Sequence, residues 1–226
     1  MHSNKILNGP SLLRYKNPIK LIFMLHGYGD SAENFINIAR YLDQPDLKLN
    51  YFALNAPSKI PNYPLGRQWF DLNPNGIYIA DAGPGEIKII QSEILRVNKI
   101  LENTIKSVRE TYNLSYKDCF LLGFSQGGIM TFEFGNYFTN TLGGLAILSG
   151  RIISKDIITN QSLLKTPIFI SHGGRDNVLP IKVYEQSCNF LNKNKLVFES
   201  YKLDNDTHTI SPKAINLLQK FIKKNL

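Results

Sequence analysis

Short apolar runs alternate along the chain with stretches in which hydrophobic residues recur at helical spacing. The runs predict six strands, at residues 19–25, 51–54, 119–123, 145–148, 167–171 and 196–201. Most of these runs are continuously apolar and do not alternate with polar residues. That pattern is typical of strands buried on both faces of a mainly parallel sheet.

Hydrophobic stripes predict helices between the strands. The first stripe consists of Phe35, Ile38, Ala39 and Leu42. Asp30 is predicted to cap this helix, with Glu33 at the capping-box position. A longer stripe begins at Ile87 and ends at Val108, and Ser211 predicts the N-cap of a terminal helix. The order of elements therefore predicts an α/β protein, with helices on both faces of the sheet.

The 226 residues are enough for one such domain. We expect residues 19–226 to form it, and residues 1–18 to be an N-terminal extension or edge strand. Residues 55–85 stand apart because they contain five prolines and the only tryptophan, Trp69. A loop of this length in a compact domain is usually functional. Trp69, Phe70 and Tyr78 are its candidates for an apolar binding surface.

Residues 123–127 read Gly-Phe-Ser-Gln-Gly, which matches the G-x-S-x-G motif. The motif follows a predicted strand and precedes a predicted helix, which is the context of a nucleophile elbow. The elbow presents a serine at a sharp turn, and the start of the helix offers free N–H groups to a developing oxyanion. Ser125 is therefore the candidate nucleophile.

A serine nucleophile requires a base and an acid that orients the base. His208 lies in a polar loop between the last predicted strand and the last helix, and is the candidate base. Asp176 follows a buried strand and a glycine turn, which places it at the sheet edge where sites of open α/β folds occur. The order Ser125, Asp176, His208 is that of α/β-hydrolases. A metal site at His172 and Asp176 lacks a third ligand at useful spacing, so no metal is predicted.

Residues 25–30, Leu-His-Gly-Tyr-Gly-Asp, follow the first buried strand. An oxyanion hole needs one N–H from such a loop and one from the residue after the nucleophile. The predicted donors are the backbone N–H groups of Tyr28 and Gln126. The same segment matches the dinucleotide fingerprint G-x-G-x-x-A. Asp30 would oppose a pyrophosphate there, and Asn55 stands where a ribose-binding acid is expected, so no nucleotide cofactor is predicted.

The chain resembles the phospholipase/carboxylesterase group of serine hydrolases, which includes the acyl-protein thioesterases. The resemblance rests on the 25–30 segment, Arg-Gln-Trp-Phe-Asp-Leu at 67–72, Leu-Leu-Gly-Phe-Ser-Gln-Gly-Gly at 121–128, the 171–180 segment and the loop bearing His208. It implies the α/β-hydrolase fold with a minimal cap, and a triad of Ser125, Asp176 and His208. It also implies that Trp69 and Phe70 lie near the acyl pocket, although both could equally be core aromatics.

These observations predict a serine esterase for short to medium acyl chains, with lysophospholipids and acyl thioesters as further substrates. Depalmitoylation of proteins is the alternative activity within the same class. A non-catalytic binding protein on this fold and an NAD-binding protein are the rivals from other classes. No cofactor is expected, the partner is a small-molecule or lipid ester, and the oligomeric state, including a homodimer, stays open.

The net charge of +8 is concentrated at the two ends of the chain, since residues 30–206 are balanced. Such ends are typically solvated, and no basic stripe interleaved with aromatic residues predicts nucleic-acid binding. The two cysteines, Cys119 and Cys188, form no C-x-x-C motif. No membrane-spanning run or signal peptide is recognisable, so a cytoplasmic location is expected.

Overall fold

The computed structural model of the chain describes residues 5–154 and 161–226. Within these residues the strands are β1 Ser11–Leu12, β2 Lys20–Leu25, β3 Leu49–Leu54, β4 Ser58–Ile60, β5 Tyr63–Gln68, β6 Cys119–Phe124, β7 Gly144–Leu148, β8 Ile168–Gly173 and β9 Phe198–Leu203. The α-helices are α1 Ala32–Phe35, α2 Ala39–Leu42, α3 Pro84–Thr111, α4 Gln126–Tyr137, α5 Ile181–Lys193 and α6 Pro212–Lys224. No helix of this described part is long and apolar enough to cross a membrane.

Seven strands form one sheet in the order β1-β3-β2-β6-β7-β8-β9. Within this sheet all neighbouring strands are parallel except at one edge, where the short strand β1 runs antiparallel to β3. Strands β4 and β5 form a separate antiparallel pair. Because the long strands are parallel, their carboxyl ends meet at one edge of the sheet. The predicted mainly parallel sheet is confirmed.

Helices cover both faces of the sheet and create two hydrophobic cores. Along β2, Leu21 and Phe23 pack into the core beneath α3, α4 and α5, while Ile22 and Met24 pack into the core beneath α2 and α6. All four side chains are fully buried. This explains why β2 reads as a continuous apolar run: successive side chains point to opposite faces, and each face has its own core. The three-layer α/β-hydrolase architecture is confirmed.

The first helix differs from its prediction. It consists of α1, a 3₁₀ turn at Ile36–Ile38 and α2, so its apolar stripe is preserved although the helix is interrupted. Ser31, and not Asp30, is the N-cap, since its hydroxyl accepts a hydrogen bond from the backbone N–H of Asn34. Glu33 accepts a bond from the Asn55 amide. The predicted capping box at Asp30 was therefore wrong.

The chain has a helix, α6, near its C-terminal end and a short strand, β1, near its N-terminal end. Ser211 caps α6 by accepting a bond from Ala214 N–H, as predicted. Residues Ser11–Leu12, which belong to the predicted 1–18 extension, form strand β1 and pair with β3. Residues 1–4 of the extension lie outside the described part.

The prediction omitted the β4–β5 hairpin, which occupies part of the proline-rich 55–85 segment.

Candidate active site

Ser125 lies at the strained turn between β6 and α4. Its backbone adopts φ 54° and ψ −116°, a conformation that non-glycine residues rarely occupy. The flanking glycines make the turn possible. A Cβ on Gly123 would lie 2.1 Å from the carbonyl oxygen of Gly127, and a Cβ on Gly127 would lie 2.0 Å from that of Leu25. The two glycines thus allow the close backbone packing that presents Ser125 at the sheet edge.

The three predicted polar residues lie in a hydrogen-bonded chain. The Ser125 Oγ is 2.9 Å from His208 Nε2, and His208 Nδ1 is 2.7 Å from Asp176 Oδ2. With the imidazole proton on Nδ1, His208 donates to the carboxylate and accepts from the serine hydroxyl. The other oxygen of Asp176, Oδ1, accepts from the N–H groups of Val178 and Leu179, at 2.9 and 2.8 Å. The carboxylate is fully buried, and all of its contacts favour one orientation.

The loops that carry the acid and the base are joined through their backbones. Arg175 N–H donates to the carbonyl of Asp206 at 2.9 Å, and Gly174 N–H donates to that of Leu203 at 2.8 Å. A Cβ on Gly173 would approach the Thr207 carbonyl oxygen to 2.3 Å. The glycines after β8 therefore let the Asp176 turn pack directly against the loop of His208.

The two predicted oxyanion-hole residues, Tyr28 and Gln126, line the same cavity as Ser125 and belong to different elements. Gln126 is the first residue of α4, where helical N–H groups have no partner within the helix. Tyr28 belongs to the loop after β2, and both residues line the cavity that contains Ser125. In the described part of the chain neither N–H is hydrogen-bonded, whereas Gly29 N–H donates to Arg67. Both N–H groups are therefore free to donate to a bound group, and their role in an oxyanion hole stays a prediction.

A cavity of about 480 Å³ opens above Ser125 and His208. Its walls include the apolar residues Leu72, Tyr78, Ile79, Ile129, Val178 and Leu179. Three of these come from the proline-rich segment, which is held in place where Ile79 N–H donates to the Leu72 carbonyl at 2.8 Å. The segment predicted to shape the pocket therefore forms one of its walls.

Trp69 and Phe70 do not line this cavity. Both side chains are buried in the core, with exposed fractions of 0% and 1%. The indole N–H of Trp69 donates to the carbonyl of His26 at 2.8 Å, and the Gln126 side chain bonds to the backbone of both aromatic residues. Of the two roles left open for Trp69 and Phe70, the structure places both side chains in the core and not in the cavity wall. Instead, they support the loop before Tyr28, and Leu72 and Ile79 stand at the cavity wall.

Arg151 also lines the cavity, and the sequence reasoning missed it. It lies three residues beyond the end of β7, at the same sheet edge as the ends of β6 and β8. A charged residue just after a buried parallel strand was the available signal, because ligand sites of open α/β folds occur at this edge.

Two further histidines are buried next to the site. His26 Nδ1–H donates to the Gly27 carbonyl, and its Nε2 accepts from Ala56 N–H. His172 donates from Nε2 to the Leu179 carbonyl, and the same nitrogen lies 3.4 Å from Asp176 Oδ2. Burial lowers the pKa of both imidazoles, against smaller opposing effects of hydrogen bonds and nearby carboxylates. Both histidines are therefore framework residues in which burial favours the neutral form.

Acidification is expected to destabilise the fold through His26 and His172. In the unfolded chain their pKa returns to about 6.5, so below that pH the unfolded state binds protons that the folded state excludes. The stabilisation is complete above about pH 6.5 and is lost as the pH falls toward the lowered folded values. Each excluded proton corresponds to about 1.4 kcal/mol per pH unit in the free energy of unfolding.

Urea unfolding between about pH 7.5 and pH 5.5 measures this dependence. His26→Gln removes one titrating group and should reduce the slope of unfolding free energy against pH. An unchanged slope for His26→Gln would contradict the assignment.

Comparison with known proteins shows which proteins this chain is similar to in sequence and in fold. The family model described as phospholipase/carboxylesterase matches residues 14–226. The chain is 28% identical to acyl-protein thioesterase 1 of Saccharomyces cerevisiae, covering 91% of this chain and 92% of the relative. It is 27% identical to carboxylesterase SOBER1 of Arabidopsis thaliana, covering 91% and 90%. The crystal structure of esterase PE8 superposes with a TM-score of 0.82 at 21% identity, covering 98% of this chain and 100% of that one.

Proposed function

The chain belongs to the phospholipase/carboxylesterase family, and from this premise we propose that it hydrolyses carboxylic esters through an acyl-enzyme formed on Ser125. The protein is a hydrolase, and its relatives include proteins named carboxylesterase and probable carboxylesterase. The observation that carries the proposal is the hydrogen-bonded chain from Ser125 through His208 to Asp176, in which Ser125 and His208 line a cavity with several apolar side chains in its wall.

In the proposed mechanism, His208 Nε2 takes the hydroxyl proton as Ser125 Oγ attacks the acyl carbonyl. Asp176 holds the Nδ1–H tautomer and stabilises the imidazolium that forms. The N–H groups of Tyr28 and Gln126 bind the oxyanion of the tetrahedral intermediate. His208 then protonates the leaving alcohol. A water molecule, deprotonated by the same imidazole, releases the acid from Ser125.

We propose short to medium acyl chains as the preferred substrates, because the apolar wall is limited to a few side chains of one cavity. Acyl thioesters are the second candidate, since relatives of the chain are named acyl-protein thioesterases. Attack of the serine on the acyl carbonyl can cleave either an ester bond or a thioester bond. A panel of matched aryl esters and thioesters with equal acyl groups distinguishes the two by their kcat/KM values.

Leu72→Ala is expected to weaken the dependence of activity on acyl length. On soluble aryl esters, kcat/KM should rise about fourfold per methylene over the first few carbons, since each buried CH₂ contributes about 0.8 kcal/mol. It should then level or fall. Leu72 is half-buried in the cavity wall, so its truncation should flatten the rise more than it lowers activity on acetate esters.

Leu65→Ala is the matched control, because Leu65 lies in the same segment but is 83% exposed and outside the cavity. Its acyl-length profile should equal that of the unsubstituted protein. A steady rise in kcat/KM out to palmitoyl esters, or a profile unaffected by Leu72→Ala, would contradict this view of the cavity.

We also propose that the protein works in the cytoplasm. The proposal is supported by its two cysteines, which are both free thiols in the fold, with Cys119 buried and Cys188 half-buried. Reducing compartments keep such thiols unpaired. Fractionation of the source cells with an antibody against the chain tests this location.

A further inference from the structure

Arg151 places a positive charge in the wall of the catalytic cavity. Its side chain is half-buried and lines the same cavity as Ser125, Gln126 and His208. The hydrolysis of a neutral ester by Ser125, His208 and the two N–H groups does not use a guanidinium. A charged group in this position therefore calls for its own explanation.

The segment around Arg151 is held firmly. Four of its backbone N–H groups donate to fixed acceptors: Ser149 to the Ser171 carbonyl at 2.8 Å, Ile152 to Ser187 Oγ at 3.1 Å, and Ile153 and Ser154 to Glu133 Oε1 at 2.9 Å each. The hydroxyl of Ser154 donates to the other oxygen of Glu133. The backbone around Arg151 is thus fixed on both sides, so that ligand binding requires ordering of the side chain but not of the loop.

Among residues 5–154 and 161–226, no hydrogen bond or ion pair to the Arg151 side chain is formed. Burial lowers the pKa of Arg151, and the nearby Tyr78 and Glu133 raise it, but an arginine remains protonated at neutral pH. Both oxygens of Glu133 already accept bonds from the 153–154 segment. Five N–H donors are therefore available to a ligand.

We propose that Arg151 binds an anionic group of the substrate, a carboxylate or phosphate located a few bonds from the scissile ester. This inference rests on the proposed function of the same site. A partly desolvated guanidinium gains most from an anion that it can bind in two-pronged geometry, whereas a neutral ester leaves it unpaired. Asp30, the other charged side chain of the lining outside the catalytic residues, already accepts a bond from Asn34.

Two pairs of esters test whether the anion lies on the acyl or on the alcohol side. The acyl pair is para-nitrophenyl hemiadipate and para-nitrophenyl heptanoate. The alcohol pair is para-butanoyloxybenzoate and its neutral amide, para-butanoyloxybenzamide. The measured quantity is the ratio of kcat/KM for the anionic ester to that for its neutral partner, so that intrinsic reactivity cancels when variants are compared.

Arg151→Gln is expected to lower this ratio about 10- to 100-fold in at least one pair, because a charge-assisted hydrogen bond is lost. Arg151→Lys should retain part of the ratio, since it keeps the charge but not the planar fork. Arg40→Gln is the matched control: it removes the same charge from an exposed side chain on α2 that does not line the cavity. Its ratios should remain those of the unsubstituted protein.

Unchanged ratios in both pairs for Arg151→Gln, or an equal shift in Arg40→Gln, would overturn the proposal. Ser125-dependent hydrolysis of the neutral esters would still support the esterase function in that case. Calorimetric binding of adipate to Ser125→Ala supplies a readout without turnover. Affinity should fall about 10-fold or more when Arg151→Gln is added, and equal affinity in both proteins would refute the anion site.

Discussion

Replacing Ser125 by alanine is expected to lower kcat on carboxylic esters by about 10⁴- to 10⁶-fold, because the covalent route through the acyl-enzyme is lost. The remaining rate would come from the oxyanion hole and substrate binding alone. No other serine is expected to replace it, since the attack requires the strained position between β6 and α4 and the 2.9 Å contact with His208. A fluorophosphonate probe should label the unsubstituted protein once per chain and leave Ser125→Ala unlabelled.

Ser107→Ala is the matched control. Ser107 is exposed near the C-terminal end of α3, which leads to the start of β6, whereas Ser125 follows the end of β6. Labelling and turnover of that variant should equal those of the unsubstituted protein. Circular dichroism of both variants separates loss of chemistry from loss of fold. Stoichiometric labelling of Ser125→Ala would show that the nucleophile is another residue.

Asp176→Asn is expected to lower kcat by about 10⁴-fold without unfolding the protein. The two N–H groups of Val178 and Leu179 require an acceptor at Oδ1, so the asparagine carbonyl must take that position. Its NH₂ group would then face His208 Nδ1 as a donor. The imidazole proton would consequently move to Nε2, where it prevents acceptance of the Ser125 proton.

The neighbouring carboxylates provide the control for this prediction. Asp204 is exposed and lies 3.6 Å from Lys202, and Asp206 accepts a bond from the Ser211 hydroxyl near the start of α6. Asp204→Asn and Asp206→Asn should each change kcat less than about tenfold, as expected for groups that do not contact the imidazole. If either proved as damaging as Asp176→Asn, the assignment of the acid would be wrong.

The sheet could be predicted from sequence because local patterns report burial directly. In β2 both faces are covered, so every position after Lys20 is apolar, and the run is visible in the sequence without knowledge of the neighbouring strands. The hairpin β4–β5 was missed for the opposite reason. Its burial pattern is mostly exposed or intermediate, and a proline lies within β5, so its residues resemble a loop.

Capping of the first helix depended on a choice between adjacent residues that local preference cannot settle. Asp30 and Ser31 are both favourable N-caps. The backbone of Asp30 is instead tied to the β5 strand, where Arg67 N–H donates to its carbonyl, and Ser31 is left to cap α1. A contact between residues distant in sequence thus decided a local question.

By itself the sequence determined the α/β class, the strand–turn–helix around Ser125 and the order of three candidate catalytic residues, because each depends on neighbours within a few positions. Only the tertiary structure decided which side chains face the cavity. Trp69 is a plausible substrate contact until its indole N–H is seen to bond to the His26 carbonyl in the core, and Arg151 is an ordinary charged residue until β7 brings it beside Ser125. Whether a side chain faces the cavity depends on how elements distant in sequence pack together. The hydrophobic periodicity of the sequence does not indicate that packing.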